Sequence, residues 1–94
     1  LKINGLIWFE DIIEKLIRKH NVHQDEVREV MDNDPHFRFV EKGHRLGENV
    51  YAAMGQTEGG RYLIVFFVYK TDKRALILSA RDMTKAERRL YEKT

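Results

Sequence analysis

Cysteine is absent from this 94-residue sequence, which excludes disulfides, thiolate metal sites and a cysteine nucleophile and suits a reducing compartment. The four histidines, His20, His23, His36 and His44, form no His-x-x-x-His pair on one helix, so neither a metal nor another cofactor is expected. Long hydrophobic runs are missing too. The run centred on Leu63 to Phe67 falls far short of the ~20 residues a membrane helix needs, and the start of the chain lacks a signal-peptide pattern. No membrane partner is therefore expected, and the expected location is the cytoplasm. An excess of one charge is also lacking, since 17 basic residues stand against 15 acidic ones for a net charge of +2. Only the distribution of cations, not their sum, can argue for a nucleic-acid partner. The length fits one domain over residues 1–94, with a core that hides roughly 60–70% of the unfolded chain's surface.

What is present is periodicity. Trp8, Ile12, Ile13, Leu16 and Ile17 recur at the 3.6-residue period, which predicts a helix over 8–20 that ends at Asn21, a residue able to take the left-handed conformation. A second, acidic helix is predicted over 24–32, where Val27, Val30 and Met31 share one face; Pro35 closes the segment. From His36 the period changes to two. Strands are expected over 36–40, 49–56, 61–70 and 75–80, joined by short turns that make neighbours antiparallel. Thr84 and Glu87 then take the spacing of a capping box that opens a last helix. Ala86 and Leu90 are expected on its buried face, with Glu87 and Tyr91 at the boundary with solvent. The fold class is α+β: two N-terminal helices, a four-stranded mainly antiparallel sheet and a C-terminal helix.

Specific residues lie along that order: Trp8, then Lys19-His20-Asn21-Val22, Asp34-Pro35, Gly47-Glu48, Gly55 and Gly60-Arg61-Tyr62-Leu63-Ile64-Val65. Ser79-Ala80-Arg81, Thr84, Glu87-Arg88-Arg89 and Tyr91-Glu92 complete the set. Together they resemble the BrnT family of bacterial ribonuclease toxins from type II toxin-antitoxin modules. The resemblance implies a RelE-like fold, RNA as substrate, and neutralisation by a cognate BrnA-like antitoxin, as a homodimer or a toxin-antitoxin heterotetramer. Two positions depart from the family. Asn21 stands where the family has Gly, a mild change because Asn also tolerates positive φ. Asn49-Val50 follows Gly47-Glu48 where the family often has Arg, which removes a phosphate ligand. That loss raises the alternative of a binding module of the same fold that no longer cuts. A DNA-binding regulator is a weaker alternative, because the 24–32 helix is acidic where a recognition helix is basic.

Cutting RNA without a metal needs a base for the 2′-OH proton, an acid for the 5′ leaving oxygen and cations for the charge that builds on phosphorus. Glu87 is a candidate base, though its spacing from Thr84 suits plain capping equally. Tyr91 is a candidate proton donor or stacking ring, or else an aromatic at the core edge. Arg81, next to a helix N-terminus, is the best candidate phosphate ligand, with a pairing to Asp82 or another surface acid as its plain alternative. Arg61 is a candidate groove cation. His20, of a residue type that can act as acid or base near neutrality, is a candidate catalyst or simply the end of its helix. Lys19, Arg88 and Arg89 are candidate RNA or antitoxin contacts, the two arginines pointing away from the core. His23, His36 and His44 read as ordinary surface.

Overall fold

The computed structural model describes residues 1–93, and its elements run β1 (Gly5–Ile7), α1 (Glu10–His20), α2 (Gln24–Asp32), β2 (His36–Glu41), β3 (Val50–Gln56), β4 (Tyr62–Tyr69), β5 (Arg74–Asp82) and α3 (Lys85–Glu92). The sheet has five strands rather than four, in the order β1-β5-β4-β3-β2, and it is mixed: β1 runs parallel to β5 while the other pairs are antiparallel. Three residues are too few to show a period of two. Only pairing with Arg74, Ala75 and Leu76 makes β1 a strand.

Helix α1 starts at Glu10, two residues later than periodicity predicts. Phe9 is extended and supplies no side-chain cap, while Trp8 packs against the core from outside the helix. Asn21 ends α1 in the left-handed conformation, φ 52°, and its amide returns to the Ile17 carbonyl. Helices α1 and α2 lie on one face of the sheet. Leu16, Val22, Val27 and Val30 meet Ala53, Leu63, Val65, Phe67, Ala75 and Ile77 there in one buried cluster. Each of these strand residues alternates with one on the opposite face, as the pleat requires.

That opposite face is covered only in part. Ala52, Met54 and Ile64 are buried on it, with Phe66, Met83 and Tyr91 packed around them. Tyr91 comes from α3, which crosses one end of the sheet and leaves the rest open. No helix among the described residues is long and apolar enough to cross a membrane.

Candidate functional site

Strand β5 runs two residues further than predicted, so Arg81 and Asp82 lie within it rather than in the corner beyond. Register then separates them. Asp82 pairs with Leu63, a residue of the helix-covered core, and Arg81 pairs with Ile64 on the open face. Opposed residues of antiparallel strands project to the same side. Arg81 therefore stands on the open face, its guanidinium 5.6 Å from the centre of the Phe66 ring.

The capping box of α3 forms as predicted: the Thr84 amide donates to Glu87 Oε1 at 2.8 Å, and the Glu87 amide donates to Thr84 Oγ1 at 3.1 Å. The buried side of α3 is not the predicted one. Ala86 is exposed and Leu90 is 41% exposed, whereas Glu87 and Tyr91 turn toward the sheet. One turn of helix separates those two, and a salt bridge decides the orientation. Arg81 Nη1 and Nη2 donate to Glu87 Oε1 and Oε2 at 2.7 and 3.0 Å, and Nη1 also donates to the Asp82 carbonyl at 3.1 Å. A guanidinium carries five N–H groups. The Nε–H and one Nη2–H of Arg81 take no acceptor among the described residues, which leaves the side-on edge, the one that matches two phosphate oxygens.

The same pair holds the Glu87 carboxyl well down, from an ordinary 4.5 to about 2, chiefly through the Arg81 hydrogen bonds and further through the Thr84 amide. A carboxylate that is so weakly basic is a poor general base. Because the folded value lies below the unfolded one, the pair's stabilisation is complete above about pH 4.5 and is lost as pH falls through about 2. Glu87→Gln is expected to flatten the fall in Tm between those pH values. A variant whose acid limb overlays that of the wild type would contradict this account of the pair.

Around Arg81 and Glu87 stand aromatic side chains from β2, β4 and α3 itself. Tyr91 meets His36 of β2 edge-on at 5.3 Å and Tyr62 of β4 at 5.9 Å. Arg88, predicted to point away, lies 3.8 Å over the Tyr62 ring, a cation-π contact, while Arg89 is exposed. His36, read as ordinary surface from the sequence, is a member of the cluster. Its register opposite Met54 puts it on the open face. The period-two alternation from His36 sets it on the face opposite Phe37, but sequence alone does not pair it with α3.

Lys19, His20 and Arg61 are not brought to this cluster. Lys19 is exposed on α1. Arg61 projects to the helix-covered side with Leu63, and all five of its N–H groups are taken. Nε and Nη2 donate to Asp82 at 2.8 and 3.2 Å, Nη2 also to the His20 carbonyl at 2.9 Å, and Nη1 to the Asn21 carbonyl at 2.7 Å and Glu26 at 3.2 Å. No donor is left for a phosphate. His20 meets this hub through its carbonyl, and its side chain contributes to lowering the Asp82 carboxyl, after the larger effect of Arg61. Among the described residues no three His, Asp or Glu side chains are grouped as a metal site needs.

Against known proteins, a family model described as "Ribonuclease toxin, BrnT, of type II toxin-antitoxin system" matches residues 8–87. Among solved structures, the chain is similar to that of the Brucella abortus ribonuclease toxin BrnT, with a TM-score of 0.63 at 15% identity over 89% of this chain and 100% of that one. At that identity the likeness speaks to the fold. No curated protein sequence matches.

Proposed function

The chain belongs to the BrnT family, the ribonuclease toxins of type II toxin-antitoxin systems, and from that premise we propose that it cuts single-stranded RNA on the open face of its sheet, without a metal, at Arg81. The observation that carries this reading is the state of that guanidinium: pinned end-on by Glu87, it keeps its side-on edge for an anion. Glu87 is then a positioning residue that fixes Arg81 in place before substrate arrives, which spares the reaction that reorganisation.

Proton transfer falls to His36 and Tyr91, which adjoin on the same face. One takes the proton of the 2′-OH as its oxygen attacks phosphorus. The other protonates the 5′ oxygen as the P–O5′ bond breaks, which leaves a 2′,3′-cyclic phosphate and a 5′-OH. Arg81 neutralises the charge that builds on the non-bridging oxygens between those events. Phe66 and Tyr62 offer faces for unstacked bases, a sequence-tolerant source of affinity. Arg61, bonded to the His20 carbonyl, braces the sheet from its other side, and Lys19 stays exposed on α1. A cognate antitoxin neutralises the protein by covering the same basic, aromatic surface.

Purified protein incubated with labelled RNA in EDTA tests the reading. Fragments ending in a cyclic phosphate are expected, they should disappear when the antitoxin is added, and His36→Ala should slow their appearance by about a hundredfold or more. RNA left intact by a folded sample would overturn the proposal. One observation favours a second reading: Glu87 already neutralises Arg81, so the face is less cationic than the sequence suggests. RNA that is bound but never cut would select that second reading, a binding module of the same fold.

A further inference from the structure

The open face continues past Arg81 to a second, preformed site at its far end. Loop 42–49 folds against the outer ends of β3, β4 and β5 and encloses about 390 Å³, within the size range of sites for small ligands and too small for a helix. Its floor is apolar, from Val50, Val68, Leu76 and Leu78, and its rim carries Lys42 and Arg45. Neither side chain donates a hydrogen bond among the described residues, although the Arg45 charge helps to lower the Glu48 carboxyl after the larger effects of Lys70 and the Thr71 amide. Glu41 is at the rim as well, and the other acid, Glu48, is already spent within the fold.

Three features build the site in advance. The Glu48 carboxylate, only 6% exposed, accepts from Lys70 Nζ at 2.8 Å and from the Thr71 amide at 3.2 Å, so it clasps the loop to the β4-β5 turn. Burial of a charge on this scale is tolerable only because both oxygens are bonded. Gly43 closes the other side of the loop, since a Cβ there would collide with the Glu48 carbonyl oxygen. Finally, the β4-β5 register shifts between Phe66 and Phe67: Phe66 pairs with Ser79 and Phe67 with Ile77, which leaves Leu78 unpaired and 38% exposed at the pocket. Bulges of this kind re-aim a side chain and recur beside functional sites. Leu76 and Arg81 lie on one strand, so the pocket sits about 16 Å from the reacting phosphate at ~3.3 Å per residue. Phe66 and Ser79 lie between.

We propose that this pocket binds one nucleotide of the RNA strand a few nucleotides away from the cleaved linkage, its base against Val50, Val68, Leu76 and Leu78 and its phosphate against Lys42 and Arg45. The proposal rests on the open face being the RNA surface. A flat apolar base and an adjoining anion are the chemistry that an apolar floor with a cationic rim complements, and the strands that carry Arg81 lead directly to it.

The test is steady-state cleavage of an RNA oligonucleotide by the full chain, compared with the same oligonucleotide carrying an abasic nucleotide at each position near the cut in turn. Leu78→Asp, and separately the double variant Lys42→Ala with Arg45→Ala, should raise KM by about tenfold with kcat and Tm unchanged. One abasic position should cost the wild type a similar factor and Leu78→Asp nothing further. Wild-type KM in both variants, or an abasic loss that adds in full to that of Leu78→Asp, would overturn the site. Loss of antitoxin affinity with RNA KM unchanged would make it a protein-binding pocket and likewise overturn it. A wild type that neither cuts nor binds RNA would defeat the reading of the whole face, an outcome distinct from failure of the pocket alone.

Discussion

Arg81→Ala is expected to lower RNA cleavage by roughly a hundred- to a thousandfold, the usual loss when one donor to a transition-state oxyanion is removed. The loss should fall on kcat more than on KM, because charge builds on the phosphorane only during reaction. Two effects compound. The phosphate loses a side-on, two-bond partner, and Glu87 is left as an unneutralised carboxylate facing the incoming anion. Arg81→Lys should recover little of the activity, since one ammonium cannot both hold the two Glu87 oxygens and present a second edge. The double variant Arg81→Ala with Glu87→Gln separates the two effects: it removes the repulsion and should regain part of the binding while kcat stays low. An Arg81→Ala protein that cuts RNA at the wild-type rate would remove Arg81 from the mechanism.

Arg61→Ala should instead unfold more easily, with stability reduced by about 2 kcal/mol, a typical value for lost hydrogen bonds to charged groups. For a chain of this size that corresponds to a fall in Tm of roughly 8–16 °C. Arg61 is 26% exposed at its side chain and joins the end of α1, the first turn of α2 and the end of β5. Removing it leaves the His20 and Asn21 carbonyls and two carboxylates without their partner. Lysine reaches only some of them and should restore only part of the loss. Thermal melts of the two variants check this. If Arg61 were a phosphate ligand, the alanine variant would keep its Tm and lose cleavage, so the measurement decides between the roles.

The two arginines show where sequence reading reaches its limit. Both are cations at a strand end, and although the helix N-terminus beside Arg81 favours it, nothing in one dimension removes Arg61. In three dimensions their positions relative to Leu63 and Ile64 send them to opposite faces of the same sheet. Arg61 engages all five of its N–H groups there and Arg81 only three. Helix α3 repeats the lesson. Its Thr84-Glu87 box was legible because capping is local, involving four consecutive residues. Its buried face was misread because hydrophobic periodicity favoured Ala86 and Leu90, while an ion pair to β5 and contacts of Tyr91 with His36 and Tyr62 turned the other side inward.

The amino-acid sequence by itself determined the elements whose signals are local: α2, the left-handed stop at Asn21, the period-two strands from His36 onward, the capping box and the family pattern along the chain. It could not determine what depends on partners distant in sequence. The parallel pairing of Gly5–Ile7 with β5, the membership of His36 in the Arg81 cluster and the exclusion of His20 and Arg61 from it were decided by the tertiary structure. The physical reason is the same in each case. Side-chain period sets which residues share a face, but only strand register and long-range ion pairs set which faces meet.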